Sequence, residues 1–446
     1  MITRRKLLAN SAVLGLFGAA PGISIAGSRG TPWRNWAGTL VANPKARLAP
    51  ASEDELVDIL KGLKGTIRPV GAGHSFTALV PTDDNLLILD KLNGVISHDP
   101  STMQATLGAG TRISASGPML DSIGQAMINL PDIDRQTLAG ALATSTHGTG
   151  KNMKSMSGYL TGLRLVTPAG EVMDLAHGSD LFHAASVSFG SLGVITRATF
   201  QNREPFRLRT KTWVEETESI LDNFDDSIEK YEHYEMMPLL HSKYSFVIAH
   251  EETSDPVKVE VVEEEDFGEF LAILSATPVM LRGVLIKTLA SEIEPSETVG
   301  QSFDALTNLR FDRFNEMEYS IPLDAGPHCL REILSVVEQE SIDVLMPLEY
   351  RIIQGDDTWL GMFSGGPRVS ISIHRLSQFD YRPYFDRIEK IFWKYEGRPH
   401  WGKIHSLGYS QLKQLYPRFD DFITLQKSID PKGQMLNDHL KHLLGR

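Results

Sequence analysis

The heptapeptide Val70-Gly71-Ala72-Gly73-His74-Ser75-Phe76 constrains this chain more than any other stretch. It follows Thr66-Ile67-Arg68-Pro69, which reads as a short strand, and precedes the strand-length apolar run Leu86-Leu87-Ile88-Leu89. Two glycines at alternate positions let the backbone turn tightly against something flat or anionic, with a histidine standing at the turn. The dinucleotide fingerprint needs a third glycine three residues after the second, so that a helix can pack closely on its strand. That position is Phe76, so the Rossmann pattern fails here. A lone Gly-x-Gly is also compatible with an ordinary strand-to-turn connection, and the later motifs decide between the two.

A second glycine-rich region runs from Thr137 to Gly150, where Thr144, Ser145, Thr146 and Thr149 offer adaptable hydroxyls among small residues. It misses the phosphate-loop pattern of nucleotide triphosphatases: Ser145 occupies the place of the first glycine, and Lys151 is followed by Asn152 where Ser or Thr is required. A third region, Ser188-Phe189-Gly190-Ser191-Leu192-Gly193-Val194-Ile195-Thr196, joins a helical pattern to a strand pattern. Three such loops spaced along one domain are better explained by one extended ligand with several polar groups than by three separate packing needs.

At 446 residues the chain is long enough for two or three cores. A hydrophobic share of 41% and a charged share of 22% are those of a globular protein, not a disordered one. The net charge of -12 argues against a nucleic-acid binder, which needs clustered Lys and Arg. Glu251-Glu252 and Glu263 to Asp266 read as a solvated face, with an acidic partner-binding cap as the weaker alternative. The single cysteine, Cys329, rules out an internal disulfide and cysteine-based metal sites. No His-Glu-x-x-His pattern occurs, so no metal is expected.

Thr3-Arg4-Arg5-Lys6-Leu7-Leu8, the short apolar stretch Ala12 to Ala20 and Ser24-Ile25-Ala26 predict an export signal over residues 1–26. Its paired arginines resemble the twin-arginine type, with a Sec signal as the alternative; the expected location is periplasmic or membrane-peripheral in a bacterial cell. Further on, Ser52 to Leu63 reads as a capped amphipathic helix. Phe267 to Ala290 is apolar but is interrupted by charges and by Pro278, which predicts a pair of helices and no integral membrane segment in the mature chain.

Val70 to Phe76, Asn129 to Thr137, Thr146-His147-Gly148-Thr149-Gly150 and Gly190-Ser191-Leu192-Gly193 together resemble the flavin domain of the vanillyl-alcohol-oxidase superfamily, and within it the aldonolactone oxidase and alditol oxidase branch. Phe314 to Pro322 and Arg398-Pro399-His400-Trp401-Gly402-Lys403 resemble that branch's cap domain and its Pro-His-Trp-x-Lys signature. The resemblance covers nearly the whole chain from about Trp33. It implies an α+β fold in which a two-part FAD-binding domain (31–205) is followed by an α+β cap (206–406) and a C-terminal segment (407–446) that returns to the first domain. It implies FAD as cofactor, carried covalently through His74. Cofactor contacts are then expected from Gly71, Ala72, Gly73, His74, Ser75, Phe76, Ser145, His147, Gly148, Gly150, Gly190, Gly193 and Val194. His400 joins them in a structural role, and His405 reads as structural too.

In the second half, Glu349 and Arg351 are two apart and so share one strand face. Along Arg368 to His374, Val369, Ile371 and Ile373 face one way while Ser370, Ser372 and His374 face the other. Taken alone, these read as edge strands with solvent-facing polar residues; the resemblance reverses that reading and makes the Glu-x-Arg pair and Lys403 substrate-site residues. Oxidation of a carbinol needs an acceptor for the hydroxyl proton and fixed positive charge near the developing anion. His374, or Lys403 instead, is the candidate acceptor; Arg351 and Lys403 supply charge, and Glu349 anchors a neighbouring hydroxyl. The implied substrate is a small polyol or sugar lactone, and the implied electron acceptor is dioxygen, with a cytochrome or quinone as the alternative. A flavin electron carrier without turnover is the rival from another class.

Overall fold

The first sheet shows how the glycine loop comes to be held. In the computed structural model, which describes residues 31–258, 265–290, 293–308 and 313–446, with side chains 265–270 left out, the strands Ala46–Leu48 and Ile67–Val70 flank Asn85–Ile88 in parallel. Parallel strands of one sheet require crossovers, and the helix Glu53–Gly62 forms the one that joins the two outer strands. Ser52 caps it, its Oγ accepting from Glu55 N at 3.2 Å, while the Glu55 carboxylate accepts from Ala51 N at 2.7 Å. Leu56 and Leu60 of this helix are buried against Ile67 and Leu87, so the loop after Val70 leaves a strand that is fixed from both sides.

A five-stranded antiparallel sheet follows, with Val95–Asp99, Gln104–Gly108, Val194–Gln201, Leu160–Val166 and Val172–Ala176 as neighbours in that order. The third glycine-rich loop ends where Val194–Gln201 enters the sheet centre. The largest sheet has eight antiparallel strands: Ser296–Gln301, Arg207–Glu216, Tyr244–Thr253, His233–Pro238, Glu349–Ile353, Arg368–Leu376, Phe314–Pro322 and Arg398–Pro399. Its apolar face is covered by Gly326–Gln339 and Arg382–Lys394, through buried Cys329, Leu330 and Ile333 of the first helix and Phe385, Ile388 and Phe392 of the second. The alternation along Arg368–Leu376 therefore divides two buried faces, not core from solvent: Ser370, Ser372 and His374 are all buried.

Residues Pro32–Arg446 form one compact unit. The last helices, Tyr409–Leu415, Phe419–Ile429 and Asp438–Leu444, reach back to the first sheets: Ile67 N donates to Gln434 O at 2.7 Å, Gln426 Nε2 to Ser191 O at 3.2 Å and Asn437 Nδ2 to Ala78 O at 2.8 Å. The apolar stretch before Ala290 forms two helices, Glu265–Ala276 and Val279–Ala290, that break at Pro278. Met280, Leu281 and Val284 are exposed there, and buried Arg282 anchors the second helix to Asp343 at 2.7 Å. No helix among the described residues is long and apolar enough to cross a membrane. The predicted export signal, residues 1–26, and Glu263-Glu264 of the acidic run lie outside the described residues.

Candidate active site

The glycine-rich loops line one cleft. Gly71, Ala72, Gly73, His74 and Ser75 form one wall, and Thr137, Gly140, Ala143, Thr144, Gly190 and Gly193 the other. A side chain at Gly71 would put its Cβ 2.0 Å from Thr137 Oγ1, so the two walls approach as closely as backbone allows. Among the described residues, the N–H groups of Ala72, Gly73, His74 and Ser75 find no acceptor. Consecutive amides of this kind form an anion-binding concavity, which fits the diphosphate of a dinucleotide cofactor. Ser145, Gly148, Gly150 and Val194 do not line the cleft. Ser145 Oγ accepts from Met362 N at 3.2 Å, Gly148 is pressed against Leu130 O, Gly150 N donates to Ile352 O at 2.8 Å, and Val194 is fully buried behind the wall.

Beneath the cleft lies Arg68, which the sequence reading passed over. It is buried and donates to Leu79 O at 2.8 Å, Gly190 O at 3.0 Å, Phe189 O at 2.5 Å and Met435 O. Burial pushes its guanidinium down to about 9. Those carbonyls satisfy its donors without neutralising it, so one guanidinium joins the first loop, the third loop and the C-terminal segment. An arginine inside an otherwise apolar strand was the signal for it.

His74, Ser75, Gln136 and Thr144 also border a second, larger cavity. Trp36 stacks on the His74 ring at 5.3 Å. Burial first, then the charges of Lys403, Arg112 and Arg135, lower His74 to about 4, so its imidazole is neutral near pH 7. Phe76, His147, Glu349, Arg351, His374, His400 and Lys403 all line this cavity. Three segments, carrying Glu349 with Arg351, His374, and Lys403, thus bring the expected substrate-site residues together.

The cavity carries more carboxylates than the sequence reading assigned. Arg351 Nε donates to Glu235 Oε2 at 2.5 Å, while its Nη2 lies 3.0 Å from Glu349 Oε2 without hydrogen-bond geometry and makes no other hydrogen bond. Burial raises the Glu235 carboxyl, against the pull of Arg351. Lys403 Nζ pairs with Glu316 Oε2, and the other oxygen of Glu316 lies 3.7 Å from His374 Nε2. Burial opposes ionisation of Glu316, but Lys403 and then His374 outweigh it and hold the carboxyl at about 2. On His374 the balance runs the other way: burial lowers it, yet Glu316 and Glu349 leave it raised above its ordinary value. Its Nδ1 lies 3.1 Å from Pro347 O. A donated proton there fixes the tautomer and leaves Nε2 facing the cavity.

Behind this row, Glu318 Oε1 receives Ser370 Oγ at 2.5 Å and lies 2.5 Å from His147 Nε2. Its carboxyl, despite full burial, is held well below the usual range by His147, His400 and Lys403. His400 is lowered to about 4 by burial, and its Nδ1 accepts from Gly402 N at 3.0 Å. Glu316 and Glu318 stand two apart on Phe314–Pro322, the same alternation that singled out Glu349 and Arg351; this was the overlooked signal. Donor atoms of Glu316, Glu349 and His374 fall within 4.8 Å of one another. Each carboxylate already faces a cation, Lys403 or Arg351, which repels a metal ion, so the group reads as a cluster of opposed charges. Buried ion pairs are poor stabilisers of a fold, and this many in one cavity point to chemistry.

Residues 44–176 match the FAD binding domain family, so the class defined by the cleft is an FAD-binding flavoprotein. Residues 198–443, more than half of the chain, match the D-arabinono-1,4-lactone oxidase family. The chain belongs to that family, within the branch its motifs resemble. It is 31% identical over 424 residues to the L-gulono-1,4-lactone dehydrogenase of Mycobacterium tuberculosis, covering 93% of this chain and 99% of that one. It is 27% identical over 439 residues to the L-gulonolactone oxidase of Bos taurus, covering 93% and 98%. Among solved structures, a cholesterol oxidase variant from Brevibacterium sterolicum superposes with a TM-score of 0.77 over 93% of this chain and 96% of that one, at 15% identity, a likeness of fold alone.

Proposed function

We propose that the chain is an oxidoreductase that binds FAD in the glycine-rich cleft and oxidises a carbinol of an aldono-1,4-lactone or sugar alcohol in the adjoining cavity. The observation that carries this reading is the junction at His74, where the cleft opens directly onto a cavity lined by Glu349, Arg351, His374 and Lys403. FAD, when bound, supplies the hydride acceptor. The chain's own residues do the rest. Nε2 of His374 accepts the hydroxyl proton as the C–H bond breaks. Arg351 and Lys403 keep positive charge beside the oxygen as it gains negative charge. Glu349 accepts a hydrogen bond from a neighbouring hydroxyl and so orients the ring.

We further infer that His74 carries the cofactor covalently: its neutral imidazole is a competent nucleophile. Dioxygen is the proposed electron acceptor, with a quinone or cytochrome as the alternative, since the relatives include both an oxidase and a dehydrogenase. The arginine pair in residues 1–26 supports export to the periplasm.

The test is a visible spectrum of the purified protein before and after anaerobic addition of aldonolactones and alditols, followed by air. Bleaching by one class and recovery in air is expected. A flavin band that no member of either class bleaches would overturn the oxidoreductase reading in favour of an electron carrier. Bleaching without recovery would assign another acceptor. For the linkage, His74→Ala should leave a colourless pellet after acid precipitation; a yellow one would exclude His74.

A further inference from the structure

His374 is enclosed by charge. The strand Phe314–Pro322 presents Glu316, with Glu318 two residues on; Glu349–Ile353 presents Glu349 and Arg351, the latter paired with Glu235; the segment after Pro399 presents His400 and Lys403; and His74 and Asp132 border the same cavity. Nearest are two carboxylates, Glu316 and Glu349, within 4.8 Å of the imidazole, each backed by a cation on its far side. Phe314 closes the remaining side with its ring edge-on at 5.5 Å.

We propose that Glu316 is the positioning residue for proton transfer: one oxygen fixes Lys403, and the other stabilises the imidazolium formed when His374 Nε2 takes the substrate's hydroxyl proton. This deepens the oxidoreductase reading and rests on it. The hydroxyl O–H bond breaks, the N–H bond forms, and the hydride leaves the same carbon for FAD. Pro347 O holds the opposite ring nitrogen, so Nε2 is the only ring atom free to receive that proton. Glu316 supplies the counter-charge at that moment without moving, because Lys403 already holds it in place.

The sign of the effect is testable. With Glu316 ionised, His374 titrates above its ordinary value because the carboxylates outweigh burial. Glu316→Gln removes the first of them and lets burial dominate, so His374 must titrate at lower pH and become a weaker base. Removing the neighbouring cation with Lys403→Met must move it the other way. The measurement is a titration of the imidazole nitrogens in the FAD-loaded protein, histidine labelled with nitrogen-15, with the His374 signal assigned by its absence in His374→Gln. The expected result is a downward shift in Glu316→Gln, an upward shift in Lys403→Met and restoration toward wild type in Glu316→Asp. Should the His374 titration be unmoved in Glu316→Gln while FAD content is unchanged, Glu316 is only an anchor for Lys403 and the proposal fails. This readout needs no substrate, so it separates failure of the proposal from failure of the proposed activity. With a bleaching substrate in hand, Glu316→Gln should slow anaerobic flavin reduction about 10- to 100-fold with its acid limb at lower pH and little change in KM. A lower plateau with an unmoved limb would count against the proposal.

Discussion

The cleft and the cavity meet at His74, yet they are made of different material. The cleft is built from backbone: Gly71 and Gly73 in one loop, Gly190 and Gly193 in another, and four amides with no acceptor among the described residues. The cavity is built from ionisable side chains on strands and a loop far apart in sequence, Glu316, Glu318, Glu349, Arg351, His374 and Lys403. A backbone site recognises a constant part of a ligand and tolerates little change in shape. A side-chain site can be retuned residue by residue, which is where one fold accommodates different chemistry.

That contrast predicts two kinds of failure. Gly71→Val drives a side chain into Thr137, and should abolish FAD retention outright, read as the ratio of flavin to protein absorbance after gel filtration; a fully yellow variant would break the backbone account of the cleft. Lys403→Met should retain FAD and slow anaerobic reduction about 10²–10³-fold, the loss typical of one preorganised charge. Loss of FAD along with rate would mean that cleft and cavity are not separable.

A pH experiment comes next in size. Burial holds His400 at about 4 and His405 at about 3, whereas an unfolded histidine titrates near 6.5. Below about pH 6.5 the unfolded chain therefore takes up protons that the folded chain refuses. Stability from these groups is full above that pH and is lost as pH falls toward 4, by up to about 3 kcal/mol for each. Melting curves should show Tm falling through this window; a flat Tm between pH 6.5 and 4.5 would contradict the burial of neutral imidazoles around the junction. The smallest effect belongs to Ser370→Ala, which removes the hydroxyl on Glu318 and should cost about 1 kcal/mol in denaturant melts while leaving FAD in place. A cost indistinguishable from zero would mean that Glu318 is held by His147 alone.

Much of this was legible along the chain. The FAD cleft could be read because a glycine loop is a local statement: Gly71 and Gly73 are needed where they stand, whatever lies across from them. Pro278 likewise divides two helices by its own missing N–H. Glu349 with Arg351, and Ser370 with His374, were visible through a period of two. The same period marked Glu316 and Glu318, but a polar strand face is read as solvent-facing until something covers it. Arg68 was hidden for a related reason. Its partners, Phe189, Gly190 and Met435, are more than a hundred residues away, and its acceptors are backbone carbonyls that no side-chain pattern announces.

By itself, then, the order of residues determined the loops, the strand faces and the family, because each depends on neighbours one to four positions apart. Only the tertiary structure decided which polar face was buried, which carboxylate met which cation, and that His374 sits between Glu316 and Glu349. Those outcomes depend on charge over a few ångströms and on exclusion of water, and neither distance nor dielectric is defined until the sheets close over the cavity.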